Sequence, residues 1–260
     1  MISLSQFDSL MKETLLIEHL PQFVGNDALQ NGLQSWGSEE ITKVGFAVSA
    51  NMSTFQKAVE AGCQALVVHH GMWISGNNLD RFTFERIQYL VENKLSVWSA
   101  HYLLDAHPIF GNNAKILEHI GATSTMEPFV DFSGSPWGYI ADLETPLSFK
   151  NIQEKVSPVF SPRSLYYNFS EEPIKRIAAV SGKGAPRNFA DMQLLKDAGV
   201  DLYITGELHE WNREMFRETG ISCIGGGHYH TEVFGPQALM TYVATEWNCE
   251  VEWIDDENDV

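Results

Sequence analysis

Residues 44–71, VGFAVSANMSTFQKAVEAGCQALVVHHG, and residues 177–207, IAAVSGKGAPRNFADMQLLKDAGVDLYITGE, read as one plan written twice. Each opens with a short apolar run ending in serine, Ala47-Val48-Ser49 and Ala179-Val180-Ser181, and passes through a small polar loop into an amphipathic stretch. The first stretch has capping-box spacing, Ser53 with Gln56, and sets Phe55 and Val59 on one face. Both stretches end at Ala-Gly, which puts Gly62 and Gly199 where a helix terminus takes a left-handed residue. A β-rich run follows in each, Ala65 to Val68 and Leu202 to Thr205. The expectation is strand, helix, strand, twice over: an α/β fold of two related lobes built from an internal repeat.

The correspondence continues through a further helix in each half, about Phe84 to Glu92 and about Glu210 to Glu218, into LSVWSAHYLLD (95–105) and ISCIGGGHYHTE (221–232). Aligned at the histidine, His101 falls on His228 and Asp105 on Glu232. Both halves then present His-x-x-x-acid just beyond a strand end, where open α/β sheets place their ligands. The glycines at 225–227 let the backbone approach a site closely. The first half adds His69 and His70. Strand neighbours point to opposite faces, so both serve one site only where the strand gives way to a loop, and Gly71 supplies that break.

The candidate set is His69, His70, His101, Asp105, His228 and Glu232, with Glu207 at the position matching His70. Several imidazoles and carboxylates without a thiolate are too many ligands for one tetrahedral zinc and suit two divalent ions, bridged by Glu232 or Asp105. Mixed nitrogen and oxygen ligation leaves zinc, manganese, iron, cobalt and nickel open.

Composition bounds the function. The 260 residues are 44% hydrophobic, enough for one large or two compact domains. A net charge of -17 disfavours nucleic acid, whose phosphates need clustered lysine and arginine. Three scattered cysteines argue against a disulfide framework or a thiolate zinc site. Without a membrane-length apolar run or a secretory leader pattern, a cytoplasmic protein is expected. Residues 255–259 read as a solvated acidic tail, and His230 as a solvent-facing or supporting neighbour of the site. The loop Ser181 to Gly184 reads as a tight turn before an anion cradle, with Lys183 a substrate-binding candidate, and Trp73, Tyr102 and Trp211 read as core or interface packing before stacking on a base. No basic cluster for a triphosphate stands out in the sequence.

Four segments, ALVVHHG (65–71), AHYLLDAHPIFGNN (100–113), DLYITGELHE (201–210) and GGHYHTEVFG (226–235), resemble in order those of the Nif-three-like family, often labelled GTP cyclohydrolase I type 2. The resemblance covers nearly the whole chain, including Asn31 to Gln34. It implies a pair of α/β lobes, 1–127 completed by 236–260 and 128–235, assembled as a toroidal homohexamer, a trimer of dimers. It implies a dinuclear centre with His69, His70, Asp105, His228 and Glu232 as ligands and His101 as the proton-transfer residue. The implied activity is metal-assisted opening of a purine ring by water, with a nucleotide as substrate. Hydrolysis of a phosphoester or another cyclic amide, or a non-catalytic metal-binding hexameric scaffold, are the alternatives. Two departures stand out: many members read HHP where this chain has His70-Gly71, and many carry an aspartate in the loop where it has Ser49-Ala50-Asn51.

Overall fold

Thirteen strands organise the described residues: β1 (Ile2–Ser3), β2 (Asn31–Ser35), β3 (Glu40–Ile41), β4 (Lys43–Ser49), β5 (Ala65–His70), β6 (Ser96–Ala100), β7 (Ala122–Val130), β8 (Pro136–Leu147), β9 (Leu165–Tyr167), β10 (Ile174–Val180), β11 (Leu202–Thr205), β12 (Ser222–Gly225) and β13 (Glu250–Trp253). The computed structural model describes residues 1–15, 27, 31–72, 80–130, 136–247 and 249–259, so Trp73 lies outside the described residues. Contacts divide the chain into two units, Met1–Leu104 with Pro236–Glu257 and Asp105–Gly235 with Asn258–Val260.

In the first unit the main sheet runs β13-β4-β5-β6-β2. Its first four strands are parallel and β2 closes the edge antiparallel to β6. Continuous apolar runs suit strands covered on both faces, and β4, β5 and β6 are buried almost throughout. The helix Met52–Glu60 joins β4 to β5, and Phe55 and Ala58 on it pack with Leu66, Val68 and Val97 of the sheet. Its cap differs from the expected Ser53 and Gln56 pair. Asn51 accepts from the Thr54 amide while Thr54 accepts from the Asn51 amide, because β4 ends early enough for the helix to begin at Met52. Ser53 is thereby inside the helix and donates to Asp256 at 2.7 Å, a carboxylate also held by Asn51 and Lys57. The acidic tail is anchored at Asp256 rather than wholly solvated. At the far end of the helix Gly62 has φ +77°, as the Ala-Gly signal predicts.

The second unit holds a six-stranded sheet of order β7-β8-β10-β11-β12-β9. β10, β11 and β12 are parallel and the other pairings antiparallel. Successive strand residues supply opposite faces, and the cores follow that alternation. Ile177, Ala179, Leu202, Ile204 and Ile224 pack with the helices Asn112–Ile120 and Phe149–Val156. Ala178, Val180, Tyr203 and Cys223 pack on the other side with the helices Phe189–Asp197 and Glu210–Thr219. In both units the chemistry-bearing side chains sit at or just past the C-terminal ends of parallel strands. Ser49, His70 and His101 follow this rule on β4, β5 and β6; Ser181, Glu207 and His228 follow it on β10, β11 and β12.

Candidate metal centre

Three imidazoles gather in the first unit. His69, His70 and His101 each offer a ring nitrogen, and these atoms lie within 4.8 Å of one another. Although His69 and His70 are adjacent on β5, the strand ends at His70, and their ring centroids stand 4.8 Å apart. A carbonyl oxygen can only accept, so the 2.9 Å contact from His69 Nδ1 to the Ala100 carbonyl places the proton on Nδ1 and the lone pair on Nε2. His70 Nδ1 meets the Ser49 hydroxyl at 3.0 Å. The loop without the frequent aspartate therefore still supplies a polar partner that orients an imidazole. Gly71 has an added role, since a Cβ there would meet the Gln34 side chain at 2.5 Å, and Gln34 Oε1 accepts from the Met72 amide.

His101 is held most firmly. Its Nδ1 donates to Asp27 Oδ1 at 2.7 Å, and Asp27 Oδ2 accepts from the Tyr102 amide and the Asn31 amide side chain. Asn31 in turn accepts from the His101 backbone amide at 2.8 Å. Asp27 is 5% exposed and His101 8%, so the pair works in a shielded environment. Tyr102 stacks on the imidazole at 4.3 Å. Asp27 is absent from the sequence-derived set because nothing in its local pattern announces it. The available signal was its position four residues before Asn31, itself in a segment shared with the family.

The second unit collects carboxylates. Asp105 ends a short helix and is 4% exposed; its Oδ1 accepts from Asn112 Nδ2 and from the Ser181 hydroxyl, each at 2.8 Å. Asn112 also accepts the Gly235 amide, and Asn113 accepts the Ser181 amide while donating to the Trp137 carbonyl. The Asn-Asn pair of the GNN segment thus positions Asp105 and the Ser181 loop together. Asp105 and Glu232 bring carboxylate oxygens within 4.8 Å of each other.

His228 lies between Glu232 and one further carboxylate, Glu207, with Glu207 Oε1 at 2.5 Å from Nδ1 and Glu232 Oε2 at 3.1 Å from Nε2. Burial opposes charging this ring, but the hydrogen bonds and charges of Glu232 and Glu207 outweigh it and raise its pKa to about 8. If Nδ1 donates to Glu207, a neutral ring turns a lone pair on Nε2 toward the Glu232 carboxylate. The arrangement calls for positive charge at Nε2, supplied by a proton or by a metal ion. Gly182, at φ +57°, makes room for it: a side chain there would overlap Glu232 and come within 3.1 Å of His228 Nε2. The Ser181–Gly184 loop is a turn, closed by the Gly184 amide on the Ser181 carbonyl, and its glycine also clears the space around Glu232. His230, on the helix His228–Glu232, is buried at 9% exposure rather than solvent-facing. Burial pushes the Cys63 thiol up to about 11 and raises that of Cys223 as well, so neither offers a thiolate near neutral pH.

The donor set in each unit fits a divalent cation of intermediate hardness: neutral imidazoles in one, carboxylates with an imidazole in the other. Among the described residues, no helix is long and apolar enough to cross a membrane.

Comparison with known proteins agrees with the fold. A protein of Archaeoglobus fulgidus named GTP cyclohydrolase 1 type 2 homolog is 40% identical over 230 residues, covering 88% of this chain and 90% of the relative. A solved structure described as protein ybgI, of unknown function, superposes with a TM-score of 0.86 at 26% identity over all of both chains. The crystal structure of TTHA1606 from Thermus thermophilus gives 0.84 at 26% identity, again over both chains entirely. The family model described as Duf34/NIF3 (NGG1p interacting factor 3) matches residues 11–259, and the chain belongs to that family.

Proposed function

We propose that this protein is a metal-dependent hydrolase of the GTP cyclohydrolase I type 2 kind, with His69, His70, Asp105, His228 and Glu232 holding two divalent ions. The observation that carries this reading is the bracing of the candidate ligands. His69, His70 and His228 each have Nδ1 engaged by a carbonyl, a hydroxyl or a carboxylate, the arrangement that orients a metal-binding imidazole. The Archaeoglobus fulgidus relative carries the cyclohydrolase name, which supports the reaction class.

When bound, the ions supply Lewis acidity and make water a nucleophile near neutral pH. The chain's own residues do the rest. His101, fixed through Nδ1 by Asp27, presents its other nitrogen as the group that moves a proton between water and the leaving atom of the opening ring. Asp27 keeps that imidazole in one tautomer and stabilises it when charged. Asp105 is locked by Asn112 and Ser181, so its carboxylate does not reorganise during turnover. A homohexamer is the assembly this reading expects, with a light-scattering mass near six times 29.2 kDa.

The direct test is elemental analysis of gently purified protein beside Glu232→Ala and His230→Ala. About two divalent ions per chain are expected in the parent. Loss should be greater for Glu232→Ala than for His230→Ala. A parent protein that stays metal-free after incubation with zinc, manganese or iron sinks the reading.

A further inference from the structure

The second unit contains a cavity of about 320 Å³ that no part of the metal-binding argument uses except Glu207. Lys183, Arg187, Glu207, His209, Trp211 and Asn212 line it. The volume is that of a small-molecule site. Two cations, Lys183 and Arg187, border it, offset by Glu207 on the same wall and by Asp191 beside Arg187.

The walls are built rather than incidental. Asn212, fully buried, donates to the Pro186 carbonyl at 2.6 Å and accepts from the His209 amide at 2.9 Å. It thereby rivets the loop carrying Lys183 and Arg187 to the start of the helix carrying Trp211. Asp191, 6% exposed, accepts from the Arg187 amide at 2.8 Å and meets its Nε at 3.4 Å, which holds the arginine against the cavity. His209 and Trp211 stack, 13° between planes and 5.8 Å between centroids, which fixes the orientation of the indole. Trp211 is 45% exposed, which rules out core packing and leaves its indole face open to stacking.

We propose that this cavity binds a planar heterocycle carrying a phosphate chain, the ring lying on Trp211 and His209 and the phosphates meeting Lys183 and Arg187. An exposed indole face suits any flat heterocycle, and two cations suit a phosphate ester. Glu207 selects among such ligands. Its carboxylate accepts from ring N–H or sugar hydroxyl groups and repels a phosphate, so it orients the ring end of the ligand toward His228. This inference rests on the hydrolase reading only in taking the occupant to be the substrate.

Titration calorimetry on the metal-loaded protein provides the test, with GTP, guanosine and inorganic tripolyphosphate as separate probes. GTP binding should weaken roughly tenfold or more in Trp211→Ala and in Lys183→Ala. Guanosine should respond to Trp211→Ala alone and tripolyphosphate to Lys183→Ala alone. Phe189→Ala and Lys150→Ala, both exposed and outside the cavity, should leave all three unchanged. Metal content should be the same in every variant, so a failure of the metal reading appears in the parent's elemental analysis and a failure of the pocket in the titrations. The proposal is overturned if GTP gives no binding heat at millimolar concentration, or if its affinity ignores both cavity substitutions.

Discussion

The imidazole cluster of the first unit and the carboxylate cluster of the second solve the same problem by different physics. His69, His70 and His101 carry imidazoles, and their rings are aimed by a carbonyl, a hydroxyl and the Asp27 carboxylate. Asp105 and Glu232 are carboxylates and nearly fully buried, and Glu232 with Glu207 flanks His228, whose pKa that pair raises. The first cluster costs little to bury without an ion. The second concentrates negative charge away from water and has a strong electrostatic demand for a cation. Orientation is the limiting quantity in one cluster, and charge in the other.

The largest expected effect tests the charged cluster. Asp105→Ala should lose metal and activity together, since the anion and the anchor of Asn112 and Ser181 disappear at once. Elemental analysis and a turnover assay on the same preparation check it. His101→Ala should instead retain most of its metal while the rate falls by about 100-fold to 10,000-fold. If it releases metal as fully as Asp105→Ala, His101 is a ligand and the contrast between the clusters is wrong. Asp27→Asn should be milder, about 10- to 100-fold in rate, with the pH profile displaced because the imidazolium loses its partner.

The charge argument also fixes a pH dependence. In metal-free protein His228 is raised to about 8, against about 6.5 in an unfolded chain. Protonation therefore stabilises the folded state; the contribution is complete below about 6.5 and lost as pH rises through about 8, at most about 2 kcal/mol. Metal binding has the opposite slope, because the proton must leave, and affinity should improve as pH rises through the same window. Thermal melts in chelator at pH 6 and pH 9, with and without His228→Asn, distinguish the two. A metal-free protein whose melting temperature is unmoved relative to the variant would remove the charge argument. Gly182→Ala should cost about 1–2 kcal/mol for its left-handed backbone alone and weaken metal retention by displacing Glu232. Smallest is Asn51→Ala, a helix cap in the first unit worth about 1 kcal/mol, which should lower the melting temperature and leave metal content unchanged.

Local sequence determined the elements. Apolar runs made β4, β5, β10 and β11, and Ala-Gly marked two helix ends, Gly62 and Gly199, both at positive φ. These signals are short-range, since they depend on burial period and on which residue tolerates a left-handed backbone. The sequence also singled out the candidate ligands, because His-x-x-x-acid and His-His are contiguous patterns. It misplaced the first cap, where two overlapping capping boxes compete and only the end of β4 decides between them. It also left Asp256 in a free tail, although the helix Met52–Glu60 holds it from some two hundred residues away.

Only tertiary structure supplied Asp27 beneath His101, Asn112 and Ser181 around Asp105, and Glu207 against His228. Each is a hydrogen bond whose partners come from different segments, and a buried polar group leaves no periodicity in its own neighbourhood. The cavity is the clearest instance. Lys183 and Arg187 sit on one loop, His209 and Trp211 some twenty residues later, and although the sequence marks Lys183 as a substrate-binding candidate, no local pattern joins the four. They share a wall because Asn212 ties the loop to the helix start, a connection made through a buried amide with no counterpart in linear sequence.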